Sequence, residues 1–238
     1  MLAEEERRMD AGMLGLGVQQ PHEQLIALTD FMSKHLPAWR DRSDRTVATG
    51  EDKLTYSLCL SLDQAAQHST TWCHFRFMHQ GPTEADGRRR MDLNVHLIQS
   101  EVVFAGREHE LEEPVLRIEC KRLPTPGPLS ERDIREYVYS AMNTGGGIQR
   151  FKIGAHGADN EFAAMIGYVQ DKDCGHWLAV VNDWVRDLST QGIAGWSKAD
   201  CLSNVLESAA SRTAVHASQH SRSNSSKAIQ LRHLWVVM

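Results

Sequence analysis

Apolar positions along the chain follow a helical period in some segments and a period of two in others. Over residues 21–36, Leu25, Ile26, Leu28, Phe31, Met32 and Leu36 recur at helical spacing, and Pro37 is expected to end that helix. A polar connector, 40–50, leads to a second predicted helix from 51 to about 67, striped by Leu54, Leu58, Cys59 and Leu62. The period then shortens. Residues 71–79 mix aromatic and β-branched side chains until Gly81-Pro82, and 91–98 alternate. Met91, Leu93, Val95 and Leu97 point one way, Asp92, Asn94 and His96 the other. A third strand is expected over 115–123, opened by Pro114 and closed by Pro124, Pro126 and Pro128.

Beyond it, Ser130 as N-cap with Asp133 three residues on predicts a helix over 130–142. Gly145, Gly146 and Gly147 read as its stop and a flexible turn. A buried strand over 162–170, a helix over 177–188, a helix near 199–210, a polar Ser/His-rich stretch and a strand over 231–237 complete the chain. The order over 51–170 is helix, three strands, helix, strand, which is an α/β pattern. The expected organisation is a helical extension over 1–50, a core over 51–190, and 191–238 completing the same domain.

Alternation places Arg117, Glu119 and Lys121 on one face of the third strand, and Leu116, Ile118 and Cys120 on the other. If this strand pairs with 91–98, Asp92 comes beside Glu119 and Lys121. Two carboxylates suit Mg²⁺, a hard cation that prefers oxygen and keeps several waters. Such a metal polarises a phosphate and lowers the pKa of a bound water. A neighbouring ammonium orients that water, assists its deprotonation or offsets charge on the phosphate. The Cys120 carbonyl is a further oxygen donor. Asp86, beside Gly87, reads instead as a turn residue.

Asp92 followed by Glu119-Cys120-Lys121 resembles the D…(D/E)xK signature of the PD-(D/E)XK nuclease superfamily, which includes many restriction endonucleases. The resemblance implies a restriction-endonuclease-like αβββαβ core, a mixed central sheet flanked by helices, covering about half the chain. It implies an Mg²⁺-dependent endonuclease, with Mn²⁺ as a substitute, that hydrolyses DNA in a setting such as restriction or phage defence. Asp92 and Glu119 would bind metal and Lys121 would position or activate water. Glu51 would add a metal contact from the first core helix; it reads equally as a first-turn glutamate favoured by the helix dipole. Met91 stands where the signature has proline. Two other readings stay open: an RNA-cleaving enzyme with the same chemistry, and a nuclease-like module of little or no activity that binds nucleic acid or a partner protein.

The 238 residues carry a formal net charge of −5, so the basic excess of a broad nucleic-acid-binding surface is missing. That leaves room for activation by a protein partner or by homo-oligomerisation. Local cations before Asp92, Arg88, Arg89 and Arg90, read as phosphate contacts or as solvated side chains, and Arg150 further on as a nucleic-acid contact or a structural residue. Tyr137, Gln149 and His156 read as structural or supporting residues. No apolar run approaches the ~20 residues of a membrane span, and residues 1–10 carry Glu4–Glu6 where a signal peptide needs a basic start, so a cytoplasmic protein without a membrane partner is expected. The five scattered cysteines read as free thiols. His216 and His220 lack the glutamate of HExxH and are expected in a surface loop.

Overall fold

In the computed structural model, which describes residues 21–43, 50–82, 90–99, 102–127, 132–142, 145–223, 225 and 227–238, the period-two segments join one mixed sheet of seven strands. Helices α1 (Pro21–Arg40) and α2 (Glu51–Gln67) precede β1 (Phe75–Pro82) and β2 (Arg90–Leu97). A small separate hairpin, β3 (Val102–Phe104) and β4 (Arg107–His109), leads into β5 (Leu116–Leu123). Then come α3 (Gly147–Lys152), β6 (Phe162–Val169), α4 (Cys174–Thr190), β7 (Ser203–Ser208), β8 (Thr213–His220) and β9 (Ile229–Val237). The sheet order is β1-β2-β5-β6-β9-β8-β7. Strands β1, β2 and β5 form an antiparallel meander, β5, β6 and β9 run parallel, and β8 and β7 return antiparallel.

Each face of the sheet buries its own core. Leu93, Val95, Ile118, Cys120, Ile166 and Leu234 pack with α1 and α2 on one side. Leu123, Met165, Leu231 and Trp235 pack on the other with Val181 and Val185 of α4 and with Tyr137, Ile148 and Phe151. The alternation of β2 breaks at its start: Met91 belongs to the second core, whereas Leu93 belongs to the first. The strand therefore changes face at Asp92. All five cysteines are free, and among the described residues no helix is long and apolar enough to cross a membrane.

Five expectations need correction. Pro37 lies inside α1 rather than ending it. The last turn is held by Trp39, fully buried against Tyr168 with its indole donating to Ser57, and by Arg40, which donates to the Ser211 carbonyl. The described part of 130–142 forms turns, because the Asp133 carboxylate accepts the backbone N–H groups of Arg135 and Ala141 and offers an alternative to helix bonding. The region near 199–210 forms a short 3₁₀ turn, Lys198–Asp200, and then β7, whose pairing with β8 overrides the helical pattern. The Ser/His-rich segment is not a surface loop: it is β8, largely buried, with His216 and His220 fully enclosed.

The glycine triplet also differs from expectation, since it starts a helix. A Cβ on Gly146 would lie 2.4 Å from the Tyr139 Cα, and one on Gly147 would lie 2.4 Å from the Met165 Cε. Close packing of α3 onto 137–139 requires these glycines. Backbone N–H groups of Gly147, Ile148 and Gln149 donate to the carbonyls of Glu136, Tyr137 and Val138, so the first turn of α3 is satisfied by that segment.

Candidate active site

Pairing between β2 and β5 runs through Val95↔Leu116, Asn94↔Arg117 and Leu93↔Ile118. At the next position a side chain takes over: Asp92 Oδ2 accepts the Cys120 backbone N–H at 2.7 Å. The face change of β2 thus brings Asp92 to the Glu119-Cys120-Lys121 segment, as its place on the preceding strand predicted. Glu119 is 0% exposed and Lys121 is 6% exposed, on the side of β5 that faces the second core. Lys121 Nζ lies 3.0 Å from Glu119 Oε1 and 3.3 Å from Glu51 Oε1. The other Glu51 oxygen accepts the Arg122 N–H at 3.0 Å, so the first residue of α2 is tied to β5 by both oxygens. Glu51 therefore joins Asp92, Glu119 and Lys121 in one cluster.

Two further groups reach Glu119 from α3 and the loop that follows. Arg150 donates from Nη1 to Glu119 Oε1 at 2.6 Å. His156 Nδ1 lies 3.2 Å from Glu119 Oε2, and neither atom completes an aligned hydrogen bond among the described residues. The loop carrying His156 is clamped from β8's end: Arg222 donates to the carbonyls of Gly157, Ala158 and Asn160. Arg117 of β5 donates to the Asn160 side chain. Lys152, at the end of α3, pairs at 2.5 Å with Asp200, which also holds His220 Nδ1 at 2.7 Å. Tyr137 belongs to this second network, not to the cluster around Glu119: its hydroxyl meets His233 Nδ1 and accepts from Trp235 Nε1, each at 2.8 Å. Gln149 serves the fold, its carbonyl oxygen accepting from the N–H groups of Ser140 and Gly146.

Charge is unevenly distributed over the cluster. Burial, reinforced by the Glu119 carboxylate, pushes the Asp92 carboxyl up to about 7 against the pull of Lys121 and the Cys120 N–H. Burial opposes ionisation of Glu119 as well, yet Lys121, His156 and Arg150 together hold it well below the usual carboxylate range. For Lys121, burial disfavours the ammonium, and Glu119, Glu51 and Asp92 outweigh that and hold its pKa above the ordinary lysine value. The Cys120 thiol is driven far up by burial beside Asp92 and stays protonated, so it offers the backbone carbonyl rather than sulfur as a donor.

Among the described residues, no group of three or more His, Cys, Asp or Glu side chains is arranged to hold a metal ion. The smaller set of Asp92, Glu119 and the Cys120 carbonyl still suits Mg²⁺, which is commonly held by one or two carboxylates, waters and substrate phosphate. Glu119 Oε2, buried without a hydrogen-bond partner, is an oxygen available to such a cation. Arg88 lies outside the described residues. Arg90 pairs through its backbone with Pro82 at the edge of the meander. Arg89, like Arg88, falls outside the described residues, and of the four arginines read from sequence as phosphate or nucleic-acid contacts Arg150 is the one found in the cluster among those described. His156 carried no spacing signal toward Glu119, because α3 and the turn that follows it bring it back to β5. No family model matches the chain, and it matches neither a curated protein nor a solved structure.

Proposed function

We propose that the protein is a divalent-metal-dependent nuclease of the PD-(D/E)XK type that hydrolyses DNA phosphodiester bonds. One observation carries this reading: Asp92, Glu119, Lys121 and Glu51, from two strands and a helix, converge at the point where the β2–β5 ladder gives way to the Asp92–Cys120 bond. The element order supports it as well, since α2, the β1-β2-β5 meander, α3 and the parallel strand β6 follow the αβββαβ sequence. The restriction-endonuclease-like core is part of the proposal.

Asp92 and Glu119, with the Cys120 carbonyl, would hold the cation, which when bound supplies Lewis acidity and an activated water. Lys121 keeps its proton on Nζ between Glu119 and Glu51, placed to orient the attacking water and offset charge on the phosphate. Glu51 holds Lys121 in position through one oxygen and the β5 backbone through the other. It acts on the lysine, and a metal contact through water would be additional. Arg150 and Lys121 compensate the buried Glu119 charge, and the His156 ring lies 3.2 Å from its other oxygen.

A second reading is favoured by one specific observation: Glu119 is fully buried and surrounded by Lys121, Arg150 and His156, as in a structural ion cluster of a nucleic-acid- or protein-binding module. Purified protein with supercoiled plasmid and Mg²⁺ separates the two. The nuclease reading expects nicked or linear product, absent with EDTA and absent in Lys121→Ala. Lack of cleavage on single- and double-stranded DNA and RNA, with Mg²⁺ or Mn²⁺, would favour the binding module. Cleavage confined to RNA would keep the chemistry and change the substrate.

A further inference from the structure

Arg150 is held in an unusual way for a buried ion pair. Among the described residues its guanidinium has one hydrogen-bond partner, Glu119, contacted through Nη1 alone at 2.6 Å. Its side chain is 30% exposed, whereas those of Glu119 and Lys121 are buried. Nε and Nη2 therefore face outward with donors unspent, and a guanidinium fork of that kind matches a phosphate diester in geometry and charge. Lys121 is the opposite case, enclosed between Glu119 and Glu51. Lys152, two residues on, is committed to Asp200 in the interior.

The contact of Arg150 also falls on a carboxylate that the proposed function assigns to the metal. A guanidinium and a divalent cation both need an oxygen lone pair and negative charge from Glu119. Lys121 and Arg150 share Oε1 and His156 stands against Oε2, so a divalent cation on Oε2 adds a further positive group to the same carboxylate and, without rearrangement, brings like charges together. The group free to leave is the exposed one. Its anchor stays fixed while it does so, because α3 is tied by its N-terminal N–H groups to 136–138 and by Lys152 to Asp200.

We propose that Arg150, paired with Glu119, is a phosphate-binding catalytic residue that is displaced onto the substrate phosphate when a divalent cation binds. This rests on the nuclease reading and adds a coupling to it. Metal and guanidinium repel each other across Glu119, so metal loading frees the donor fork that the phosphate needs. The site is thereby less attractive to nucleic acid without metal than with it.

The test measures binding, not turnover. Mn²⁺ is titrated into the full chain, and duplex DNA affinity is measured with and without Ca²⁺. Wild type, Arg150→Ala, Arg150→Gln and Arg122→Gln are compared, each shown to be folded by circular dichroism. Removal of a charge-assisted hydrogen bond that competes for Glu119 should tighten Mn²⁺ binding by about tenfold in both Arg150 variants. The same variants should lose the Ca²⁺-dependent gain in DNA affinity that wild type shows. Arg122→Gln removes a neighbouring charge whose guanidinium bonds Gln170 rather than Glu119, and should change Mn²⁺ affinity far less. Unchanged or weaker Mn²⁺ binding in the Arg150 variants, or an equal effect of Arg122→Gln, would overturn the displacement. If neither wild type nor variants bind Mn²⁺, the metal-dependent reading itself falls, an outcome distinct from wild-type binding that Arg150 does not affect.

Discussion

Asp200 offers the sharpest test of how the fold supports the site. Its carboxylate takes Lys152 Nζ at 2.5 Å and His220 Nδ1 at 2.7 Å, and it accepts from the Ser197 N–H at 2.7 Å and the Ser197 hydroxyl at 3.1 Å. Lys152 and Asp200 side chains are each 5% exposed. Asp200→Ala therefore leaves an ammonium in the interior without its partner. Breaking one side of such a pair costs about 3–5 kcal/mol, a large share of the roughly 5–15 kcal/mol that typically holds a domain together. The sign of the pH dependence follows from the depressed carboxyl. Burial acts against the charge, yet His220 and Lys152 bring Asp200 down to about 2 from its ordinary 3.8. The group thus contributes stability that is fully present above about pH 4 and is lost as pH falls towards 2, an amount of about 2 kcal/mol. Equilibrium urea unfolding at pH 7 should show the 3–5 kcal/mol loss. A Lys152→Met/Asp200→Leu double variant should lose clearly less than the sum of the two single changes. A loss below about 1 kcal/mol in Asp200→Ala, or strict additivity in the double variant, would refute this account of the pair.

Other consequences follow from named contacts. Gly146→Ala should destabilise the protein by about 1–3 kcal/mol, because its Cβ meets the Tyr139 backbone at 2.4 Å; thermal unfolding measures the loss, and an unchanged melting temperature would contradict the packing. His216 is fully buried against the Trp235 ring, with neither nitrogen hydrogen-bonded among the described residues. Burial lowers its pKa to about 4, so its contribution to stability declines as pH falls below the ordinary histidine value of 6.5. His216→Phe should be near neutral at pH 7 and should relieve about 2 kcal/mol of the stability lost between pH 7 and pH 5. Chemical denaturation at the two pH values decides this, and parallel pH curves for variant and wild type would count against it. Arg222→Gln should lower the stability of the 157–160 loop, seen as faster amide exchange there, and reduce cleavage through the displaced His156; unchanged exchange would remove Arg222 from that role.

Much of the sheet and the centre of the site were legible in sequence because both rest on period-two alternation. Glu119 and Lys121 had to share a face of β5, and Asp92 had to lie on a strand that pairs with it. The break in that alternation at Asp92 was not legible, since Met91 is as apolar as Leu93 and only packing shows that they enter different cores. Arg150 and His156 were visible as residues but not as partners of Glu119, because their approach depends on α3 starting at Gly147. The glycines that permit that start look like a helix stop when tertiary packing is ignored. Similarly, β8 looked like a polar loop, yet Ser218 Oγ meets His220 Nε2 on its own strand at 2.6 Å and His233 Nε2 of β9 at 2.8 Å. Polarity alone did not reveal a buried strand that pairs Ser218 and His220 within the sheet and packs His216 on the Trp235 ring.

The proposed chemistry requires one cation between two strands. Crystals soaked in Mn²⁺ and measured for anomalous scattering should show a single strong peak contacting the carboxylates of Asp92 and Glu119, with the peak lost in Glu119→Gln. Absence of density there at millimolar Mn²⁺, or a peak elsewhere that survives Glu119→Gln, would contradict the metal-dependent nuclease.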